Sequence, residues 1–118
     1  GIMIETPAAV MIGEELAKRV DFLGIGTNDL TQYTLAMDRQ NPLLQKKYND
    51  HHPAVLRMVK MVVDAGHAQS CKVCLCGELA ADTRLTETFL RMGVDVLSVV
   101  PACILPVRKA LRGVSLTS

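Results

Sequence analysis

Apolar positions in this chain fall into two spacings, and their alternation lays out the architecture. Short apolar runs occur at Gly1-Ile2-Met3-Ile4, Val20-Asp21-Phe22-Leu23, Lys72–Cys76 and Val94-Asp95-Val96-Leu97-Ser98-Val99. Runs of this length and density read as buried strands. Between them, Ala9, Ile12, Leu16 and Val20 recur at helical spacing, as do Val55, Met58, Val59, Val62 and Val63. Such stripes predict helices that lay one face on a sheet.

The breaks carry their own signals. Thr6-Pro7 predicts a helix start, with Thr6 as cap and Pro7 at the first helical position. Gly24-Ile25-Gly26 leads into a short helix over Leu30–Met37, which Asn28 or Asp29 is placed to cap. The polar stretch Asp38 to His52 reads as a loop long enough to cover a site. Pro53 opens a long helix that fades near Gly66 to Ser70, and Gly77–Asp82 is a loop. A helix over Thr83–Met92 stops at Gly93, and a last one runs from about Ile104 to Leu111 with Gly113 as its stop. Four strand-helix units predict an α/β protein with a parallel sheet. Four units are half of an eight-unit barrel of about 250 residues, and the abrupt start inside a strand fits a missing upstream part. A small open α/β sandwich is the alternative.

Composition narrows the function classes. The 118 residues make about one domain, with 49% apolar residues but only 3% aromatics and no Trp. The 13 basic residues are scattered and the net charge is +1, which gives no basic stripe for nucleic acid. No apolar run has membrane-spanning length and no signal-peptide pattern opens the chain. Gly24-Ile25-Gly26 continues into Thr-Asn-Asp, so no dinucleotide fingerprint is present. Of the four cysteines, Cys71, Cys74 and Cys76 crowd one predicted strand. Cys74 and Cys76 share a face of it and Cys71 takes the other. The spacing invites a zinc reading, but no second cluster accompanies it; reduced thiols in a cytoplasmic protein are expected.

Parallel strands bring their carboxyl ends to one rim, where α/β folds keep their chemistry. Here those ends carry Glu5, then Asn28 with Asp29, then Cys76. Two carboxylates with room for water suit magnesium, and Arg39, ten residues past Asp29, is placed to return to the rim and bind an oxyanion. Each has a plainer role open to it: helix-entry charge for Glu5, cap for Asp29, solvated cation for Arg39, small core residue for Cys76. Their joint placement at successive strand ends favours a site.

Five segments then carry a resemblance: GIMIETPAAV, GTNDLTQYTLAMDR, HPAVLRMVKMV, CGELAAD and ILPVR. In that order the chain resembles the C-terminal, phosphoenolpyruvate-binding barrel of the phosphoenolpyruvate-utilising enzymes. The continuation Tyr33–Arg39 and the Glu78-Leu79-Ala80 ending are most similar to the phosphotransferases of the bacterial sugar phosphotransferase system. Pyruvate phosphate dikinases and phosphoenolpyruvate synthases share the rim residues, and a non-catalytic half-barrel that binds ligand is a further alternative. The resemblance implies that residues 1–118 are the second half of a (β/α)8 TIM-type barrel, one fragment of a phosphoenolpyruvate-binding domain. It implies magnesium on Glu5 and Asp29, phosphate contact by Asn28, charge neutralisation by Arg39, and proton delivery by Cys76 to the enolate, giving pyruvate. An ordinary thiol, with a pKa near ~8.5, carries that proton at neutral pH. Implied partners are phosphoenolpyruvate, a phosphocarrier protein reached through the full enzyme, and a second copy in a homodimer. No membrane or nucleic-acid partner is implied.

The chain departs from the family's pattern at Gly24, where Ser is usual, at Leu75, where Met is, and at Val99-Val100, where a Ser-containing stretch is. The family's phosphorylated histidine and two phosphate-binding arginines find no counterpart here. His51, His52 and His67 are expected in loop and helix-surface roles.

Overall fold

In the computed structural model, which describes residues 1–117, every predicted apolar run contributes a strand. The order is β1 (Ile2–Ile4), α1 (Pro7–Met11), α2 (Gly13–Ala17), β2 (Phe22–Gly26), α3 (Thr27–Leu35), α4 (Pro53–Ala68), β3 (Lys72–Cys76), α5 (Thr86–Met92), β4 (Val96–Leu97) and α6 (Ile104–Arg112). Short 3-10 turns occupy Glu78–Ala81 and Pro101–Cys103. The four strands form one parallel sheet in sequential order, β1-β2-β3-β4. The expected parallel α/β organisation is therefore present.

The two faces of the sheet have different fates. Ile4, Ile25 and Leu75 stand in register and are fully buried, as are Leu23 and Val73. They meet Val55, Val59, Val62 and Val63 on α4, all equally buried. Each such side chain is worth about 1.5–3 kcal/mol when taken out of water. At Gly66 the helix lies so close that a β-carbon would stand 2.6 Å from Val73 Cγ2. The opposite face presents Met3, Gly24, Cys74 and Val96 in register. No helix of the described residues covers it, and Met3, Phe22 and Val96 are each about half exposed (49%, 49% and 47%).

Several boundaries differ from expectation. Thr6 does cap its helix, accepting from the Ala9 N–H at 3.1 Å. The helix breaks at Ile12, however, which is half exposed and does not join the core, so α1 and α2 are separate. α3 starts directly at Thr27, with no side-chain cap. Asn28 and Asp29 lie in its first turn, because the chain leaves β2 through Gly26 straight into helical geometry. Ala36, at φ 53°, ends α3 in a left-handed turn. A turn around Asp82 delays α5 to Thr86, and Gly93, at φ 95°, stops it as expected. The stretch 38–52 holds no regular element, as its polarity predicts.

Candidate active site

Because all four strands run the same way, their carboxyl ends share one rim. Glu5 follows β1, Asn28 and Asp29 open α3 just past β2, and Cys76 ends β3. The predicted set therefore converges at neighbouring strand ends.

Glu5 and Asp29 meet across the β1–β2 boundary. Burial pushes the Glu5 carboxyl above its ordinary value, and the adjacent Asp29 carboxylate pushes it further by hydrogen bonding and charge. Two carboxyls held this close repel when both ionise, and a cation between them relieves the repulsion. Space for Glu5 is provided by Gly26, where a β-carbon would stand 2.7 Å from Glu5 Cγ and 2.9 Å from Oε1. Among the described residues no group of three or more His, Cys, Asp or Glu side chains surrounds a metal position. The pair nevertheless fits magnesium, which takes one or two carboxylates and keeps several waters.

A chain of polar contacts runs outward from Asp29. Gln32 donates its amide to Asp29 Oδ1 at 3.2 Å and accepts the Arg39 backbone N–H at 3.1 Å. Arg39 Nη1 reaches Glu78 Oε1 at 3.0 Å, while the Glu78 backbone N–H donates to Asn28 Oδ1 at 3.3 Å. Arg39 thus returns to the rim, but through Glu78. Gln32 and Glu78 were not anticipated as site residues. The first was legible as the neighbour of Asp29 one helical turn on; for the second, only the approach of two separate segments reveals the contact.

Thr27 and Gly77 fix the third strand end. Thr27 Oγ1 donates to the Cys76 carbonyl at 2.7 Å. A β-carbon on Gly77, at φ 95°, would overlap that hydroxyl, so glycine is needed there for both backbone and space. Cys76 then lines a cavity of about 500 Å³ with Asn28, Glu78, Ser98, Val99 and Cys103. The cysteines of the described residues are all free. Cys71 is buried, donating to the Ala17 and Val20 carbonyls at 3.2 and 3.1 Å. Cys74 lies 3.8 Å from Cys76, sulfur to sulfur. Burial, followed by the neighbouring Cys76, raises the Cys74 thiol to about 11.

The histidines take structural positions. His51 Nε2 sits 2.7 Å from Asp82 Oδ2, tying the 38–52 loop to the segment after β3. His52 Nδ1 accepts the Ala54 N–H and caps α4. His67 Nε2 lies 2.8 Å from Asp95 Oδ2, which also accepts the Val73 N–H at 2.8 Å. No helix of the described residues is long and apolar enough to cross a membrane.

Comparison with known proteins adds a family to this geometry. Residues 1–116 match the model of the PEP-utilising enzyme, PEP-binding domain. The phosphoenolpyruvate-protein phosphotransferase of Haemophilus influenzae is 48% identical over 115 residues, 98% of this chain and 20% of that protein. The protein of the same name from Buchnera aphidicola is 47% identical over 118 residues, 100% of this chain and 21% of its own length. That of Listeria monocytogenes is 44% identical over 112 residues, 95% of this chain and 20% of its length. The chain spans about a fifth of the length of the curated relatives it matches. With the match running through every strand end that carries a site residue, the chain belongs to the family of phosphoenolpyruvate-utilising enzymes, in their phosphoenolpyruvate-binding domain.

Proposed function

We propose that residues 1–118 are the second half of a (β/α)8 barrel and carry the metal-binding and part of the substrate-binding site of a phosphoenolpyruvate-dependent phosphotransferase. In this reading the full enzyme moves the phosphoryl group of phosphoenolpyruvate to one of its own histidines, outside this chain. A phosphocarrier protein of the sugar phosphotransferase system then receives it, and pyruvate is released. The enzyme works in the cytoplasm as a homodimer. The observation that carries the proposal is the meeting of Glu5, Asn28, Asp29 and Cys76 at three neighbouring strand ends, in a chain nearly half identical to phosphoenolpyruvate-protein phosphotransferases. The half-exposed apolar sheet face supports the barrel reading, since in a closed barrel Met3, Phe22 and Val96 would point inward.

Glu5 and Asp29 hold magnesium in this proposal. When bound, the ion supplies positive charge to the carboxylate and phosphate of the substrate. Asn28 has its Oδ1 engaged by the Glu78 N–H, which leaves its NH2 to donate to a phosphate oxygen. Arg39 neutralises the same phosphate, exchanging an exposed carboxylate partner for a doubly charged one. The cost is small, since an exposed ion pair contributes about 0–1 kcal/mol. Cys76 gives its Sγ proton to the methylene carbon of the enolate left after phosphoryl departure, forming pyruvate.

The test is phosphoryl transfer by the intact protein that carries this chain. Phosphoenolpyruvate-dependent, ATP-independent labelling of a phosphocarrier protein supports the assignment; strict dependence on ATP overturns it in favour of a dikinase or synthase. The 118-residue chain alone should bind phosphoenolpyruvate weakly with magnesium and form no pyruvate. Several charge-stabilising groups lie elsewhere, and the loss of one commonly costs about a hundredfold or more.

A further inference from the structure

The Glu78 carboxylate has a single partner. Among the described residues it meets Arg39 alone, Oε1 to Nη1 at 3.0 Å, and is otherwise exposed. What holds this position in place is its backbone. The Glu78 N–H donates to Asn28 Oδ1 at 3.3 Å, and Gly77 ahead of it turns at φ 95° against the Thr27 hydroxyl. Arg39 is likewise placed by its backbone, whose N–H donates to Gln32 Oε1 at 3.1 Å. Neither residue needs the ion pair to stay at the rim.

Glu78 also stands between two cavities. One, of about 500 Å³, is lined by Asn28 and Cys76; the other, of about 480 Å³, by Arg39, Tyr48 and Asp50, and Glu78 borders both. A phosphate that touches Asn28 and Arg39 together has to take the place this carboxylate holds. A guanidinium grips carboxylate and phosphate through the same fork of N–H groups, so one anion displaces the other from it.

We infer that the Glu78 carboxylate is a built-in competitor for the substrate phosphate, paired with Arg39 until a phosphate-bearing ligand displaces it. The inference rests on the phosphate role proposed above for Arg39. It makes Glu78 a specificity-determining residue that acts through Arg39. A ligand with a phosphate opens the pair, whereas pyruvate, which has none, leaves it closed. Once the phosphoryl group has passed to the histidine, Glu78 re-forms the pair, and Arg39 contributes nothing to holding the product. The competition weakens phosphate binding by the strength of the pair that is broken, at most about fivefold for an exposed ion pair.

The experiment compares Glu78→Gln and Glu78→Ala with the unaltered intact protein that carries this chain. Both variants keep the backbone N–H that holds Asn28. The KM for phosphoenolpyruvate should fall about 2–5-fold in each, while the inhibition constant of pyruvate stays the same. Calorimetric titration with inorganic sulfate, a phosphate-like dianion, should show the same gain and needs no turnover. Arg39→Gln should raise the KM, and adding Glu78→Gln to it should then change nothing, because the competitor has lost its object. A KM that rises in folded Glu78→Gln overturns the inference by making the carboxylate a support for Arg39, and an unchanged KM and sulfate affinity overturn it as well. So does a gain that persists in the Arg39→Gln background or extends equally to pyruvate, since Glu78 would then act by general repulsion. An unchanged KM in Arg39→Gln overturns the phosphate role of Arg39 and this inference with it. A raised KM there, without any gain in Glu78→Gln, removes the inference alone.

Discussion

A β-carbon on Gly26 would stand 2.7 Å from Cγ of Glu5 and 2.9 Å from its Oε1, so the carboxylate ending β1 lies over the backbone ending β2. The missing side chain at one strand end is what lets the neighbouring strand end reach Asp29. Gly26 has φ −86°, which any residue adopts, so its role is space and not backbone freedom.

Gly26→Ala should therefore displace Glu5 with little effect on folding. Magnesium-dependent phosphoenolpyruvate binding should weaken about 10–100-fold, as when a supporting group behind a metal ligand is lost. Isothermal titration calorimetry on the alanine variant, beside a thermal melt, checks this. Unchanged affinity would detach Glu5 from the metal.

Glu5 and Asp29 also set a pH dependence. The Glu5 carboxyl is raised from 4.5 by burial and by Asp29, so the folded state holds its proton above that pH while the unfolded chain has released it. Stability from this group should fall as pH rises through the window just above 4.5. Asp29→Asn removes one charge and should flatten that slope. Urea unfolding across pH for the two proteins makes the comparison; identical slopes would mean the carboxyls do not communicate.

Asp82 titrates in the opposite sense. The Arg84 guanidinium, with a further hydrogen bond from His51, holds its carboxyl well below the ordinary 3.8 despite partial burial. Its contribution is present above 3.8 and is lost as pH falls toward the depressed folded value. Asp82→Asn should cost about 1–3 kcal/mol and free the His51 end of the 38–52 loop. Hydrogen exchange should show that loop opening faster, with α4 unaffected.

Under the proposed function, in which Cys76 is the proton donor, Cys76→Ala should separate proton transfer from phosphoryl transfer. In the intact enzyme the variant should still bind phosphoenolpyruvate and phosphorylate the enzyme's histidine. Pyruvate formation should slow by about a hundredfold or more, the usual worth of a positioned general acid. Stopped-flow detection of pyruvate against phosphoenzyme gives the two rates, and equal slowing of both would argue against a proton-donor role.

The uncovered sheet face predicts association of the 118-residue chain. Met3, Phe22 and Val96 expose about half their surface on one face, and β1 and β4 each leave an edge unpaired among the described residues. Sedimentation velocity should find dimers or larger species that grow with concentration. A monodisperse monomer with sharp cooperative unfolding would show that this face tolerates water.

Local signals in the sequence decided the elements and their direction. Thr6-Pro7, Pro53 and Gly93 act within one turn of backbone, and the stripe Val55, Val59, Val62 and Val63 needed only the helical period to be read. The parallel order likewise follows from strands separated by helices, which brings Glu5, Asp29 and Cys76 to one rim before any distance is known. Tertiary structure decided what those residues touch. The start of α3 at Thr27 follows from the chain leaving β2 through Gly26 straight into helical geometry, which no local pattern encodes. The link from Arg39 to Glu78 joins residues 39 positions apart, and Glu5 finds room only because β1 pairs beside Gly26. The second is a consequence of strand register, while the first depends on how the irregular 38–52 stretch returns to the rim. The same register turns Cys74 and Cys76 to one face, which the pleat predicts, but sets their sulfurs 3.8 Å apart, which only side-chain packing determines.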